Sequence, residues 1–203
     1  MTTHFEDTSF LEPAARYFRF KIALDYITNK VNLSILDLGC GPHIRFYKFI
    51  QNKGINLKKY IGIDPLLDDR LLKVYQKNKQ IELINSPVNN LIPLADKSVD
   101  YIISLAFLEH IDNPGRILTE SVRVLKMGGR GIFTTPSLKA QKLLELLSFR
   151  LGLISKREIR EHKQYFMKED FESLVKVHLP NVKHYHQYFE LGFNNLFVLE
   201  KNG

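Results

Sequence analysis

The chain of 203 residues contains a single cysteine, Cys40, and no tryptophan. One cysteine excludes a disulfide framework and any metal site built from paired cysteines, and it is typical of a reducing compartment. No apolar run approaches the roughly 18 residues that span a bilayer. Residues 1–7 also lack the basic and apolar regions of a secretory signal. We therefore expect a cytoplasmic protein without a membrane span.

The composition that remains is ordinary for a globular domain, with 44% hydrophobic and 25% charged residues. The length predicts a single domain over residues 1–203. Lysine and arginine outnumber the acids by 29 to 22, and part of this excess lies within residues 139–183. The excess favours an anionic partner, although such a stretch is more often a solvated surface. No zinc-finger, KH or RNP pattern accompanies it, so the sequence carries no strong nucleic-acid signal.

Short apolar runs alternate with segments of helical periodicity along the chain. This alternation predicts βαβ units around a parallel sheet, whose ligands bind at the carboxyl ends of the strands. The most unusual residues follow the first, second and fourth predicted strands. The pattern predicts strands at residues 34–38, 60–63, 81–84, 99–105, 131–135, 182–189 and 193–200. It predicts helices at 12–30, 44–52, 67–77 and 114–126, the last of them ended by Gly128 and Gly129, with a mostly helical stretch at 137–176.

A glycine-rich turn, Asp-Leu-Gly-Cys-Gly-Pro at residues 37–42, follows the first strand. Glycines there let the backbone approach a ligand, and the next helix offers free N–H donors, although tight turns also use glycine for purely steric reasons. Asp64 ends the second strand, where a carboxylate can accept both hydroxyls of a ribose or cap the following helix. Together the two features indicate a nucleoside-containing cofactor.

The kind of cofactor is narrowed by two further positions. The dinucleotide fingerprint requires a third glycine where this chain has Ile44, which argues against NAD and FAD. Asp37 precedes the first glycine by two residues, where it can hold a cationic group and would repel a pyrophosphate. These positions favour a cofactor that carries positive charge.

Four segments, at residues 35–43, 61–65, 99–114 and 123–136, resemble in order and spacing the motifs of class I S-adenosylmethionine-dependent methyltransferases. They are most similar to the small-molecule branch typified by quinone-biosynthesis methyltransferases, and residues 189–201 are similar to the last hairpin of some of these enzymes. The resemblance implies an α/β fold with a Rossmann-like seven-stranded sheet. That sheet would be mostly parallel with one antiparallel strand, and would carry helices on both faces.

The resemblance also implies S-adenosyl-L-methionine as cofactor and a set of residues that contact it. Asp37 would support the amino group and Asp64 would hold the ribose, while the glycine turn lies against the methionine part through its backbone. No metal is part of this set. The implied cofactor-binding residues are Asp37, Gly39, Cys40, Gly41, Asp64, Pro65, Leu66, Ser86, Pro87, Val88, Ser104 and Leu105.

Candidate catalytic residues are Glu109, His110 and His162. Glu109 and His110 follow strand four at the expected pocket mouth, where His110 would act as general base or orient the acceptor. Its alternative role is packing at a helix start. His162 belongs to a substrate or lid segment at residues 137–181 that the resemblance leads us to expect, and its alternative is an ordinary surface position.

The function predicted from these features is methyl transfer to a small-molecule acceptor, with oxygen as the expected methylated atom. The basic excess favours an anionic acceptor, and the pattern leaves open whether it is sugar- or lipid-linked. Nothing in the pattern assigns an oligomeric state. The alternative is a catalytically inactive module that binds the cofactor or a nucleic-acid or protein partner.

Overall fold

The computed structural model describes residues 12–28, 31–141 and 165–203. Predictions that concern other residues, including His162 and much of the substrate or lid segment at residues 137–181, lie outside the described part. The elements are α1 (Glu12–Asp25), β1 (Val31–Leu38), α2 (Arg45–Asn52), β2 (Asn56–Ile63), α3 (Asp69–Tyr75), β3 (Ile81–Ile84), β4 (Val99–Leu105), a 3-10 helix (Leu108–His110), α4 (Pro114–Val124), β5 (Leu125–Pro136), α5 (Lys168–His178), β6 (Lys183–Phe189), a second 3-10 helix (Glu190–Gly192) and β7 (Asn194–Glu200).

The strands form one seven-stranded sheet in the order β3-β2-β1-β4-β5-β7-β6. Strands β1 to β5 are mutually parallel, and β7 runs antiparallel to both of its neighbours, β5 and β6. The expected fold, with one antiparallel strand, is therefore confirmed. Chain order reverses at β1, which lies between β2 and β4, and ligands of such sheets bind at the carboxyl ends of the strands beside this switch point.

Helices cover both faces of the sheet because side chains along each strand alternate between the faces. In β1, Leu33 and Ile35 pack in the core shared with α1 and α2. Leu36 and Leu38 pack in the core shared with α4 and α5.

Helix α1 ends at Asp25, five residues earlier than predicted. The N–H of Tyr26 donates to the carbonyl of Ala23 at 3.2 Å, so the chain tightens into a turn beyond the helix. The N–H of Ile27 donates to the carbonyl of Leu24 at 3.1 Å, and that of Thr28 donates to the Tyr101 hydroxyl at 3.2 Å. These bonds turn the chain towards β1. The prediction from hydrophobic periodicity alone continued the helix to residue 30.

The predicted end of α4 at Gly128 and Gly129 is wrong. The helix ends at Val124, and both glycines lie within β5. A side chain at Gly129 would place its Cβ 2.9 Å from the carbonyl oxygen of Asp100, and the β4–β5 register shifts nearby. Gly129 therefore serves the close approach of two strands, whereas Gly128 provides a φ of +73°.

Within the described ranges, no helix combines the length and apolar character needed to cross a membrane. The predicted helical stretch at 137–176 is described only at its ends, where residues 138–141 and α5 are helical.

Candidate functional site

The glycine turn joins the carboxyl end of β1 to α2. Gly39 donates its N–H to the carbonyl of Ile63 at 2.9 Å, and Gly39 and Gly41 both have a φ of +72°. A Cβ at Gly39 would come within 2.4 Å of the Phe107 ring, so glycine is required there for that ring to pack. At Gly41 no atom of the described residues lies within 4 Å of the position that a Cβ would take. The turn therefore leaves open space at its second glycine, where a ligand can meet the backbone.

Asp64 connects this turn to the loop after β2. Its Oδ2 accepts the N–H of Gly41 at 2.9 Å, and its Oδ1 accepts the N–H of Leu66 at 2.8 Å. Each carboxylate oxygen has a further lone pair, so both can still accept hydroxyl groups. The helix cap considered for Asp64 is instead supplied by Asp68, which accepts the N–H of Arg70 at 2.7 Å.

Asp37 lies at the end of β1 and is only 3% exposed. The Tyr60 hydroxyl donates to its Oδ2 at 2.6 Å. Burial raises the pKa of Asp37 to about 7, the hydrogen bond from Tyr60 opposes this rise, and the charge of Asp64 adds to it. Near neutral pH the carboxyl is therefore poised between two states, and a bound cation would favour the ionised one.

Cys40 lies between the two glycines with its thiol buried against β2. Its Sγ lies 2.9 Å from the position that a Cβ on Gly62 would take. Burial, and then the negative charges of Asp37 and Asp64, raise the pKa of this thiol, so it remains protonated. Its contribution to a ligand site is consequently confined to the backbone.

The loops after β2 and β3 form the outer side of the site. Leu66 is 56% exposed beside Asp64, and it offers apolar surface to a flat ring. Ser86 donates its hydroxyl to the carbonyl of the exposed Pro87 at 3.3 Å. Val88 is 3% exposed and its side chain packs in the core. Of the three cofactor-binding residues predicted after β3, Pro87 therefore lies at the surface and Val88 in the core, with Ser86 partly exposed.

The end of β4 brings a ring to the glycine turn. Ala106 adopts a φ of +53° and donates its N–H to the carbonyl of Thr134 at 2.9 Å. This turn carries Phe107 onto Gly39. Ile103 pairs with Asp37, so Ser104, one residue later, lies on the opposite face, while Leu105 packs on the face of Asp37. The Ser104 hydroxyl is fully buried and has no hydrogen-bond partner within the described residues.

Glu109 lies in the 3-10 helix after β4 and is only 1% exposed, in contrast to the pocket mouth at which it is predicted. Neither of its carboxyl oxygens has a hydrogen-bond partner in the described part of the chain. Burial raises its pKa to about 8, and the positive charge of Arg19 opposes this rise. His110, its neighbour, is partly exposed.

A charged cluster beside Glu109 is formed by Glu12 and Arg19 of α1 and by Glu190 after β6. Arg19 donates to Glu12 Oε1 at 2.6 Å. Burial raises the pKa of Glu190, and Arg19 opposes that rise as it does at Glu109. Asn194 at the start of β7 donates to Glu190. The cluster therefore collects acids from three parts of the chain around one guanidinium.

Sequence reasoning missed Tyr60 and the members of this cluster other than Glu109. Tyr60 pairs with Ile35 in the β1–β2 register and therefore shares a face with Asp37, a relation that becomes visible only once the strands are paired. Arg19 and Glu190 belong to no local motif, and only the tertiary fold brings their charges together. Residues 12–28, 31–141 and 165–203 include no group of three or more His, Cys, Asp or Glu side chains that could hold a metal.

A cavity of about 440 Å³ between α4 and α5 is separate from these residues. None of the predicted site residues that the structure describes lines it. Its lining consists of Pro114, Tyr165, Phe166, Asp170, Ser173, Leu174, Val177 and His178.

Known proteins match this chain both in sequence and in fold. Residues 36–133 match the family described as a methyltransferase domain. A ubiquinone biosynthesis O-methyltransferase from Xylella fastidiosa is 26% identical over 117 residues, which make up 56% of this chain and 47% of that protein. The chain spans about half the length of the curated relatives it matches, or less.

Two solved structures extend the likeness over nearly the whole chain. A plantazolicin methyltransferase in complex with a triazolic desmethylPZN analog and SAH has a TM-score of 0.72 at 14% identity, covering 95% of this chain and 88% of that one. A protein from Pyrococcus horikoshii has a TM-score of 0.66 at 21% identity, covering 100% and 97% respectively. At these identities the likeness concerns the fold.

Proposed function

This chain belongs to the class I S-adenosylmethionine-dependent methyltransferases, and we propose that it transfers the cofactor's methyl group to an oxygen atom of a small molecule. The observation that carries the proposal is the connection of the glycine turn to Asp64. Two acceptor oxygens, a backbone with open space at Gly41 and the buried carboxyl of Asp37 meet at one end of the sheet.

These groups suit the chemical parts of the cofactor. Asp64 accepts the ribose hydroxyls, Leu66 and Pro65 lie beside the adenine, and Asp37 binds the amino group. When bound, the cofactor supplies a methyl group that its positively charged sulfur already activates. The chain's own task is then to hold the acceptor in line with that group and to exclude water.

On the acceptor side we assign Glu109 and His110. A pKa of about 8 suits Glu109 to accept a proton from a hydroxyl group in mildly alkaline solution. Glu12, Arg19 and Glu190 form the polar wall next to it. Oxygen as the methylated atom is supported by the ubiquinone O-methyltransferase relatives. His162 remains a predicted acceptor contact, and an anionic acceptor remains an expectation from the basic excess.

We also propose that the protein works in a reducing compartment such as the cytoplasm. The sole cysteine, Cys40, is a buried free thiol within the glycine turn, and it supports this assignment.

Titration with S-adenosylhomocysteine tests the cofactor site. Asp64→Asn keeps the size of the side chain but loses charged acceptor capacity, so we expect binding about 10- to 100-fold weaker. Asp68→Asn is the matched control, because it also removes a nearby charge but keeps a good helix cap, and its affinity should equal that of the wild type. Equal affinities of both variants, or no binding by the wild type, would refute the assignment.

Turnover with labelled S-adenosylmethionine and a panel of phenols, alcohols, amines and thiols tests the reaction. We expect transfer to a hydroxyl compound, and a loss of more than about tenfold in His110→Ala with unchanged S-adenosylhomocysteine binding. Turnover of His110→Ala within twofold of the wild type would remove His110 from the proposal. Cofactor binding without transfer to any acceptor would favour the non-catalytic alternative.

A further inference from the structure

Tyr60 is a fully buried tyrosine with a specific polar contact. It lies in β2, is 0% exposed, and donates its hydroxyl to Asp37 Oδ2 at 2.6 Å. A hydroxyl–carboxylate bond of this length is typical of a charge-assisted hydrogen bond. Tyr60 bonds to Oδ2 alone, and among the described residues no hydrogen-bond donor meets Oδ1.

The surroundings of Asp37 give Tyr60 a particular importance. Asp64 at the end of β2 contributes negative charge, and the Cys40 thiol in the turn is neutral. On the helix side, the ring centroid of Tyr47 in α2 lies 4.9 Å from that of Tyr60. The ring centroid of Tyr75 in α3 lies 6.0 Å from that of Tyr47. Among the described groups that act on Asp37, Tyr60 alone favours the ionised form.

We propose that Tyr60 is a positioning residue of the cofactor site, holding Asp37 ionised and oriented so that Oδ1 can bind the cofactor's amino group. This inference rests on the proposed function, since it takes Asp37 as a cofactor ligand. It assigns a role to a residue of β2 that lies outside the glycine turn and contacts the cofactor only through Asp37.

The consequence is a link between proton release and cofactor binding. A protonated Asp37 cannot offset the charge of an ammonium group, so affinity should rise with pH through about 7, where the carboxyl ionises. Removing the Tyr60 hydroxyl withdraws the one hydrogen bond that favours ionisation. The pH at which affinity levels off should therefore move upward.

Calorimetric titration with S-adenosylhomocysteine between pH 5.5 and 9 tests this inference. In Tyr60→Phe we expect affinity about fivefold lower at pH 7, because a pKa rise of about one unit from about 7 lowers the ionised fraction of Asp37 there from about one half to about one tenth, and convergence with the wild type near pH 9. Tyr47→Phe is the matched control, since it removes a hydroxyl from the same ring cluster without touching Asp37. Its pH profile should match that of the wild type.

An equal loss of affinity at every pH in Tyr60→Phe would indicate a purely structural role and overturn the inference. An unchanged profile would overturn it as well.

Asp37→Asn separates this failure from failure of the proposed function. If Asp37→Asn removes the pH dependence while Tyr60→Phe leaves it intact, only the role of Tyr60 is wrong. If Asp37→Asn binds like the wild type at every pH, the cofactor-site assignment of Asp37 is itself wrong. Circular dichroism of each variant establishes that it is folded.

Discussion

At the residue scale, two buried acids set the character of the site. Burial raises the pKa of Asp37 to about 7 and that of Glu109 to about 8. Asp37 has Tyr60 as a hydrogen-bond donor, whereas the oxygens of Glu109 have no partner in the described residues. A buried carboxylate without partners is costly, so Glu109 is mostly protonated at neutral pH. In that state it can both donate to and accept from a bound molecule.

Glu109→Gln is expected to stabilise the protein in alkaline solution. The folded-state pKa of Glu109, about 8, lies above the ordinary value of 4.5, so its favourable contribution is complete below pH 4.5 and is lost as pH rises through 8. The loss amounts to at most about 1.4 kcal/mol per pH unit. Glutamine stays neutral, so urea unfolding should show little difference from the wild type at pH 4.5 and a clear gain at pH 8.5.

The control for this comparison is Glu82→Gln. Glu82 is exposed and pairs with Lys59 at 2.6 Å, so its removal should cost less than about 1 kcal/mol at either pH. A difference between Glu109→Gln and the wild type that is the same at pH 4.5 and pH 8.5 would contradict the raised pKa.

At the element scale, the two ends of α4 are determined differently, one by residues adjacent in sequence and the other by a residue distant in sequence. Its N-terminus is local: Asn113 Oδ1 accepts the N–H of Arg116 at 3.1 Å, and Pro114 follows in the first turn. At its C-terminus, Lys201 Nζ donates to the carbonyls of Val122 at 2.7 Å and Leu125 at 2.8 Å. That lysine comes 76 residues after Leu125 in the chain. The residue that follows the final strand therefore helps to end this helix.

Lys201→Met is expected to destabilise the protein by about 1–3 kcal/mol, because it leaves helix-end carbonyls without their charged donor. Urea unfolding at pH 7 measures this. Lys168→Met is the control, since Lys168 is exposed and its ion-pair partner within the same helix, Glu172, lies at 3.5 Å. Its change should stay below about 0.5 kcal/mol. Equal effects of the two substitutions would show that Lys201 does not stabilise the end of α4.

The features of α4 and of the glycine turn that the sequence could predict are those that depend on residues adjacent in the chain. Local chemistry predicted the start of α4, the turn at residues 37–42 and the carboxylate at Asp64, since each depends on neighbours in the chain. The end of α4 and the Tyr60–Asp37 bond depend on strand pairing and on a distant lysine. Periodicity alone carries no information about such partners, and it placed Gly128 and Gly129 at a helix end instead of in β5.

At the scale of the whole molecule, the sheet order brings the acids to one end of an otherwise basic chain. The net charge is +7, yet Asp37, Asp64 and Glu109 follow β1, β2 and β4, which adjoin one another in the sheet. Parallel strands place their carboxyl ends at the same edge, so the alternation of strand and helix is sufficient to collect these residues. The site proposed for a positively charged cofactor therefore includes three acids, although the chain as a whole carries a net positive charge.

This arrangement predicts that S-adenosylhomocysteine stabilises the protein more at pH 8 than at pH 5.5. In the unliganded chain the raised pKa of Asp37 makes its stabilising contribution complete below 3.8 and lost as pH rises through about 7. An ammonium group bound at Asp37 restores stability to the ionised form. At a ligand concentration 100 times the dissociation constant the gain is about 2.7 kcal/mol, and it shrinks as affinity falls in acid. Thermal melts with and without a fixed ligand concentration measure this gain at each pH. The gain should become independent of pH in Asp37→Asn, and a pH-independent gain in the wild type would mean that Asp37 does not ionise when the ligand binds.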